Sequence, residues 1–412
     1  VGLDYYWLYH LPGVAMHLFA AWMLRQVMIN ARVDEWTATA CASILVFFGT
    51  GAQNIMWAFQ VGFVTSLAMG LVHLTCATHT APTQRRDIAG LCAGAVALAF
   101  GGIGVTMAIV VGLATVLLRG WRAAFFHTAP LGAIYLWWWL NFAQGAVTQY
   151  GTPILWAEWV WRGFVEVFGR LAGWAPLGVL LAAATAVGIV LRIRDQKDTV
   201  DWWRPLVPAL ALAIGAVVFQ LITALGRVAN PLGGFIVLGP HGAIGGRYVY
   251  IAAALILPAI AVAVSYLLYR WRITALALVP VFVVSLVVNV KLLISIERVP
   301  AFKESSQTQT RQLVSDAAYS DLIELVPAET RLNIPYATLT AGWLRAVKAQ
   351  GRLPEVGGIT PKRAAEAELQ LATDMIVARD VVCLEPVVAG VMLDFVAGDI
   401  ILYTGRSNAK VS

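Results

Sequence analysis

Three basic side chains in one glycine-rich stretch carry the clearest chemistry in this sequence. Arg227, His241 and Arg247 lie within GRVANPLGGFIVLGPHGAIGGRYVY, which ends on Tyr248 and Tyr250. Directly after it comes IAAALILPAIAVAVSYLLYRWR, a run apolar and long enough to sit in hydrocarbon. An arginine so close to hydrocarbon is costly unless it reaches headgroup, water or an anion, and its planar fork matches phosphate oxygens. The competing reading is an arginine that snorkels to the interface beside a tyrosine belt. His241 can likewise pair with an anion or be an ordinary loop histidine.

A second polar grouping is GTGAQNIMWAFQ, residues 49–60, where Gln53, Asn54 and Gln60 surround Trp57. It reads as a polar and aromatic patch for a sugar or lipid headgroup, or as a turn whose amides satisfy freed backbone groups. Carboxylates are scarce. On the expected outer face of the apolar region they are Asp4, Glu158 and Glu166. Asp4 heads the first helix, where it could act as a general base or simply as a cap. Glu158 and Glu166 stand four residues before Arg162 and Arg170, the spacing of helical ion pairs. His10, His17 and His73 lie in or beside apolar helices without HxxxH or HExxH spacing, so helix packing is expected of them and no metal site. The four cysteines show no disulfide or metal-ligand spacing.

The elements that would position these residues follow from composition. With 412 residues, 59% hydrophobic, 13% charged and a mean hydropathy of +0.74, the chain reads as a polytopic membrane protein. The net charge of +6 is carried in short clusters between apolar runs, which are topology signals and not a nucleic-acid patch. Spans are expected near residues 8–24, then two between 36 and 77 turning at 49–54. A short helical hairpin should fill 88–118, turning at Gly101, Gly102 and Gly104, and further spans should lie near 128–145, 173–192, 205–224, 247–269 and 273–294. Residues 154–170, with four charges at i, i+4 intervals, read as a helix lying flat in the interface. Basic residues place 79–88 and 192–204 in the cytoplasm, with about twelve Lys and Arg in inner loops against about five outside.

The expected architecture is therefore an all-α polytopic membrane bundle of about ten transmembrane helices over residues 1–296. A small α+β extracytoplasmic C-terminal domain should follow over 297–412, where polar helical periodicity gives way to the strand-like VVAGVMLDFVAGDIILYTG. The localisation implied is a plasma membrane, crossed many times. No signal peptide is recognised ahead of the first apolar run, and the chain reads as a piece whose beginning lies upstream of Val1.

Three strings, YHLPGVAMHLFAAWMLRQV, GTGAQNIMWAFQVGFVTSLAMGL and GGRYVYIAAALILPAIAV, resemble the bacterial polytopic membrane proteins related to the GT-C glycosyltransferases. The resemblance implies transfer of a sugar from a polyprenyl-phosphate carrier to a cell-envelope glycan or protein acceptor on the outer face. It places Arg247 with Tyr248, assisted by Arg227, on the lipid-linked phosphate, and it expects the main catalytic acid in an outer loop upstream of this chain. The donor is already activated, so the chemistry asks for one base and cations for the departing phosphate. No cofactor is called for, a divalent metal stays open, and no nucleotide-binding loop is present. Partners would be the carrier-linked sugar, the acceptor and membrane lipid, with no nucleic acid. Two other classes compete: a lipid or polysaccharide transporter or flippase, against which the lack of midplane acids counts, and a non-catalytic membrane scaffold.

Overall fold

Glycines, prolines and polar caps cut the apolar sequence into helices. In the computed structural model, which describes residues 7–79, 84–143, 151–197, 200–229, 231–232, 236–237, 240–295, 304–334, 337–351 and 353, the chain divides into two compact units, Val1–Ile296 and Glu297–Ser412. The first unit contains α1 (Trp7–Asn30), α2 (Glu35–Val46), the short α3 (Ala52–Met56), α4 (Val61–Ala77), α5 (Arg85–Phe100) and α6 (Ile103–Arg119). It continues with α7 (Trp121–Phe142), α8 (Pro153–Leu171), α9 (Ala175–Gln196) and α10 (Val207–Arg227), a two-residue antiparallel pairing of β1 (Pro231–Leu232) with β2 (Ile236–Val237), then α11 (Gly246–Arg270) and α12 (Ala275–Ile294).

The starts have local causes. Asp34 caps α2, its Oδ1 accepting from the Thr37 amide at 2.9 Å, and its Oδ2 accepts from the Ser265 hydroxyl of α11 at 2.9 Å. Gln84 and Asp87 form a reciprocal capping box at the head of α5. Thr152 caps α8, with Pro153 in the first turn, where a missing amide hydrogen costs nothing. The helical hairpin expected over 88–118 is present as α5 and α6, broken at Gly101 and Gly102. On α8 both expected ion pairs form, Glu158 with Arg162 at 2.7 Å and Glu166 with Arg170 at 2.6 Å.

Among the described residues, six helical stretches are long and apolar enough to cross a membrane: Glu35–Met56, Ala58–Ala77, Ala175–Gln196, Arg204–Arg227, Gly246–Arg270 and Arg272–Ile294. The described chain is mostly helical, and several of its apolar helices could span a membrane. Four helices that the hydropathy reading takes as spans, α1, α5, α6 and α7, are not among the six. At 16 and 17 residues, α5 and α6 are about 24–26 Å long, short of a hydrocarbon core of about 30 Å. Polar residues lower the hydropathy of the other two: His10, His17 and Arg25 in α1, and Arg122, His127 and Asn141 in α7.

Helix α11 is the axis of this unit. It packs against α10, α9, α8, α2 and α1, and from Tyr248 to Ala263 nearly every residue is buried. Alanines at 252, 253, 254, 259, 261 and 263 keep its surface thin, which lets neighbouring backbones approach closely, the packing that works where lipid removes any hydrophobic drive between helices. His17 of α1 ties three elements together. Its Nε2 lies 3.1 Å from the Val46 carbonyl at the end of α2, and its Nδ1 lies 2.8 Å from the Tyr250 hydroxyl of α11. A carbonyl only accepts, so Nε2 carries the proton and Nδ1 accepts from the tyrosine. The periphery is the reverse of this core: Val179 on α9, Trp137 on α7 and Leu276 on α12 are all more than half exposed, a surface suited to lipid and not to water.

In the second unit the described elements are α13 (Glu304–Tyr319), the antiparallel β3 (Arg331–Ile334) and β4 (Ala337–Thr340), and α14 (Ala341–Ala349). Ala317, Ala318, Ile323, Val326, Ala341 and Leu344 form its buried core. Thr340 ends the second strand and caps the helix, its hydroxyl accepting from the Trp343 amide at 3.2 Å. The strand-like stretch 387–405 lies outside the described residues.

Candidate functional site

The expected site begins with a break. After α2 ends at Val46, the chain makes a 3-10 turn at Gly49–Gly51, the short α3 and a second 3-10 turn at Ala58–Gln60 before α4. This segment lies directly on the first turns of α11. A Cβ on Gly246 would stand 2.3 Å from the Thr50 carbonyl oxygen, and one on Gly51 would stand 2.4 Å from the Tyr250 ring, so both contacts exist only because those residues lack a side chain. Asn54 then donates from Nδ2 to the Arg247 carbonyl at 3.2 Å.

Arg247 is half-buried, and its guanidinium carbon sits 4.8 Å from the centre of the Tyr248 ring. Among the described residues no carboxylate pairs with it. Tyr248 is held in turn by Trp159 of α8, ring centres 5.8 Å apart, and the fully buried Trp159 donates its indole N–H to Gln220 Oε1 of α10 at 2.9 Å. A guanidinium over a ring engages it through its charge and keeps N–H donors with which to bind an anion. In the segment 49–60, Thr50 Oγ1, Asn54 Oδ1 and Gln60 Oε1 are buried and have no hydrogen-bond partner among the described residues, so each keeps the capacity to accept from a hydroxyl or a water.

The structure thus brings together Arg247, Tyr248 and Asn54, and adds Thr50, Trp159 and Gln220, which sequence reasoning did not assign to this site. Trp159 appears in the sequence only as one more apolar residue of an amphipathic helix. Gln53 is half-buried in α3, and Trp57 is half-buried with its ring 5.6 Å from that of Phe59. Arg227 is exposed at the end of α10 and His241 is exposed in the 3-10 turn ahead of α11. Among the described residues neither forms a hydrogen bond or ion pair with Arg247. Asp4 lies outside the described residues.

A second polar cluster went unforeseen. Asp87 is fully buried, and its carboxylate receives Arg119 at 2.5 Å, His127 Nε2 at 3.0 Å, His79 Nε2 at 3.0 Å and the Gln84 amide at 2.8 Å. His127 Nδ1 meets His73 Nε2 at 3.1 Å. An ionised carboxylate only accepts, so both imidazoles give it an Nε2–H, and His127 Nδ1 is left to accept from His73. His73 therefore does more than pack between helices. Arg119 also donates to the Ala77 carbonyl at 2.9 Å and Arg86 donates to the Thr75 carbonyl at 2.7 Å, closing the open end of α4. Burial pushes the Asp87 carboxyl upward, but hydrogen bonds from Arg119, the Gln84 amide, His127 and His79 outweigh it and hold the group well below the usual carboxylate range. With its lone pairs so fully engaged, Asp87 is an anchor joining the ends of four helices and has no capacity left for base catalysis. Its partners lie 32 and 40 residues downstream and 8 upstream, a separation that no motif encodes.

Compared with protein-family models, curated proteins and solved structures, the chain matches none.

Proposed function

We propose that this chain is a membrane glycosyltransferase of GT-C type, moving a sugar from a polyprenyl-phosphate carrier to a cell-envelope acceptor on the outer face. The observation that carries the reading is Arg247: a half-buried guanidinium over the Tyr248 ring, free of any carboxylate among the described residues, at the head of the most buried helix. In this reading the free fork binds the carrier phosphate and stabilises the charge that grows on it as the sugar leaves. Thr50, Asn54 and Gln60 offer their unpartnered oxygens to sugar hydroxyls. Helices α1 and α7, with the short out-and-back hairpin of α5 and α6, complete a bundle of about ten spans, and the second unit faces outward. The reaction calls for no cofactor, and the acceptor's base comes from an acid outside the site described.

The test is discharge of radiolabelled polyprenyl-phosphate sugars by purified protein in vesicles, wild type against Arg247→Lys. Lysine keeps the charge and loses the fork. The expected loss is roughly 10–100-fold, equivalent to about 1.5–3 kcal/mol for a hydrogen bond to a charged group. A wild type that discharges no carrier, or a lysine variant as active as wild type, refutes the reading.

A further inference from the structure

Away from the Arg247 site, the first unit contains a cavity of about 160 Å³ between α2, α11 and α12, closed at its base by the end of α8 and by α9. Thr37, Cys41, Leu257, Leu268, Val279 and Phe282 represent its wall, which is almost wholly apolar. A cavity of about 150 Å³ lined by such residues stays dry and accepts an apolar guest. The base is sealed, with Leu257 only 1% exposed, whereas Val279 at the rim is 54% exposed, so the cavity opens along the surface of α12. Leu257 and Leu268 are eleven residues apart on α11, a helical rise of about 16 Å. The space is therefore elongated along the helices.

Both α11 and α12 are long and apolar enough to cross a membrane, so the medium at this mouth is lipid. An empty void forfeits the dispersion contacts of every atom around it, and the only apolar molecules at high concentration beside it are lipid chains. The turn that joins the two walls carries a charge. Arg272 lies in the turn between Leu268 and Leu278, is exposed, and has no hydrogen bond or ion pair among the described residues, whereas neighbouring Arg270 is engaged with Asp195 at 3.5 Å. We propose that this cavity holds one acyl chain of an anionic phospholipid whose headgroup phosphate sits on Arg272. The proposal is independent of the glycosyl-transfer reading.

The experiment uses the full chain in phosphatidylcholine vesicles containing a phosphatidylglycerol with a photoreactive group in its acyl chain, followed by peptide mapping. Adducts should concentrate on residues 37–44 and 278–282. Excess unlabelled phosphatidylglycerol should reduce them at least fivefold, and neither inorganic phosphate nor further phosphatidylcholine should do so. Cys41→Phe, which fills the cavity, should lower the adducts by a similar factor. Arg272→Gln, in the exposed turn between α11 and α12, should remove the preference for phosphatidylglycerol over phosphatidylcholine. Adducts spread evenly over the lipid-facing surfaces of α7 and α12, competition by phosphatidylcholine as effective as by phosphatidylglycerol, or an Arg272→Gln protein that keeps its headgroup preference would each overturn the proposal.

Discussion

Replacing Asp87 by asparagine tests whether the buried cluster anchors the ends of α4 to α7. The substitution keeps the shape and removes the charge. Arg119, whose side chain is only 7% exposed, loses its counter-ion, and because His127 and His79 bond different oxygens of Asp87, the amide nitrogen presents hydrogens to one imidazole N–H that needs an acceptor. Removing one partner of a buried pair costs about 3–5 kcal/mol, which at about 2–4 °C per kcal/mol for a unit of this size is a fall in apparent Tm of roughly 6–20 °C. The 16 tryptophans make intrinsic fluorescence in detergent a direct readout. Two controls separate a specific network from general damage. Asp87→Asn combined with Arg119→Gln should cost less than the sum of the single variants, because the second change removes the charge that the first stranded. The pH dependence has a definite sign: Asp87 is depressed in the folded protein, so its contribution is complete above the unfolded carboxylate pKa of about 3.9 and is lost as pH falls toward the lower folded value. The gap between wild type and Asp87→Asn should thus stay constant from pH 5 to 8 and close only in stronger acid. A variant within about 2 °C of wild type, too small a shift for an uncompensated buried charge, or strict additivity of the two substitutions, would refute the anchor.

Tyr250→Phe leaves His17 Nδ1 buried without its donor at 2.8 Å, and should cost about 1–3 kcal/mol in thermal or denaturant unfolding; unchanged stability would mean that water replaces the hydroxyl. Gly246→Ala drives a methyl to 2.3 Å from the Thr50 carbonyl and should part residues 49–54 from the head of α11. Its expected signature is loss of carrier discharge larger than that of Ala58→Gly, a control in the neighbouring turn, with normal membrane insertion; full activity would mean that the contact is dispensable.

The membrane class, the hairpin of α5 and α6, the ion-paired helix α8 and the break between α2 and α4 were legible in the sequence, because each rests on local causes. Apolar length, glycine pairs and i, i+4 charges act within a few residues of one another. The same locality explains where the reading stopped. Apolar runs lead to an expectation of about ten spans, and six described helical stretches have the length and hydropathy of candidate spans; for α5 and α6 it is the helix ends that set lengths of 16 and 17 residues.

The site divides along the same line. Arg247 and Tyr248 could be singled out because a cation beside a long apolar run is conspicuous by itself, and the amides of 53–54 because they interrupt one. That Asn54 bonds to the Arg247 backbone and that Trp159 and Gln220 support Tyr248 are matters of which helices pack side by side. The Asp87 cluster is the extreme case. In sequence, RRD looks like a basic flank ended by an ordinary acid, and His79, Arg119 and His127 carry no mark of belonging to it. Only the packing of α4, α5, α6 and α7 excludes water from that carboxylate, and a charge without water has to be met by every donor the neighbouring helix ends can supply.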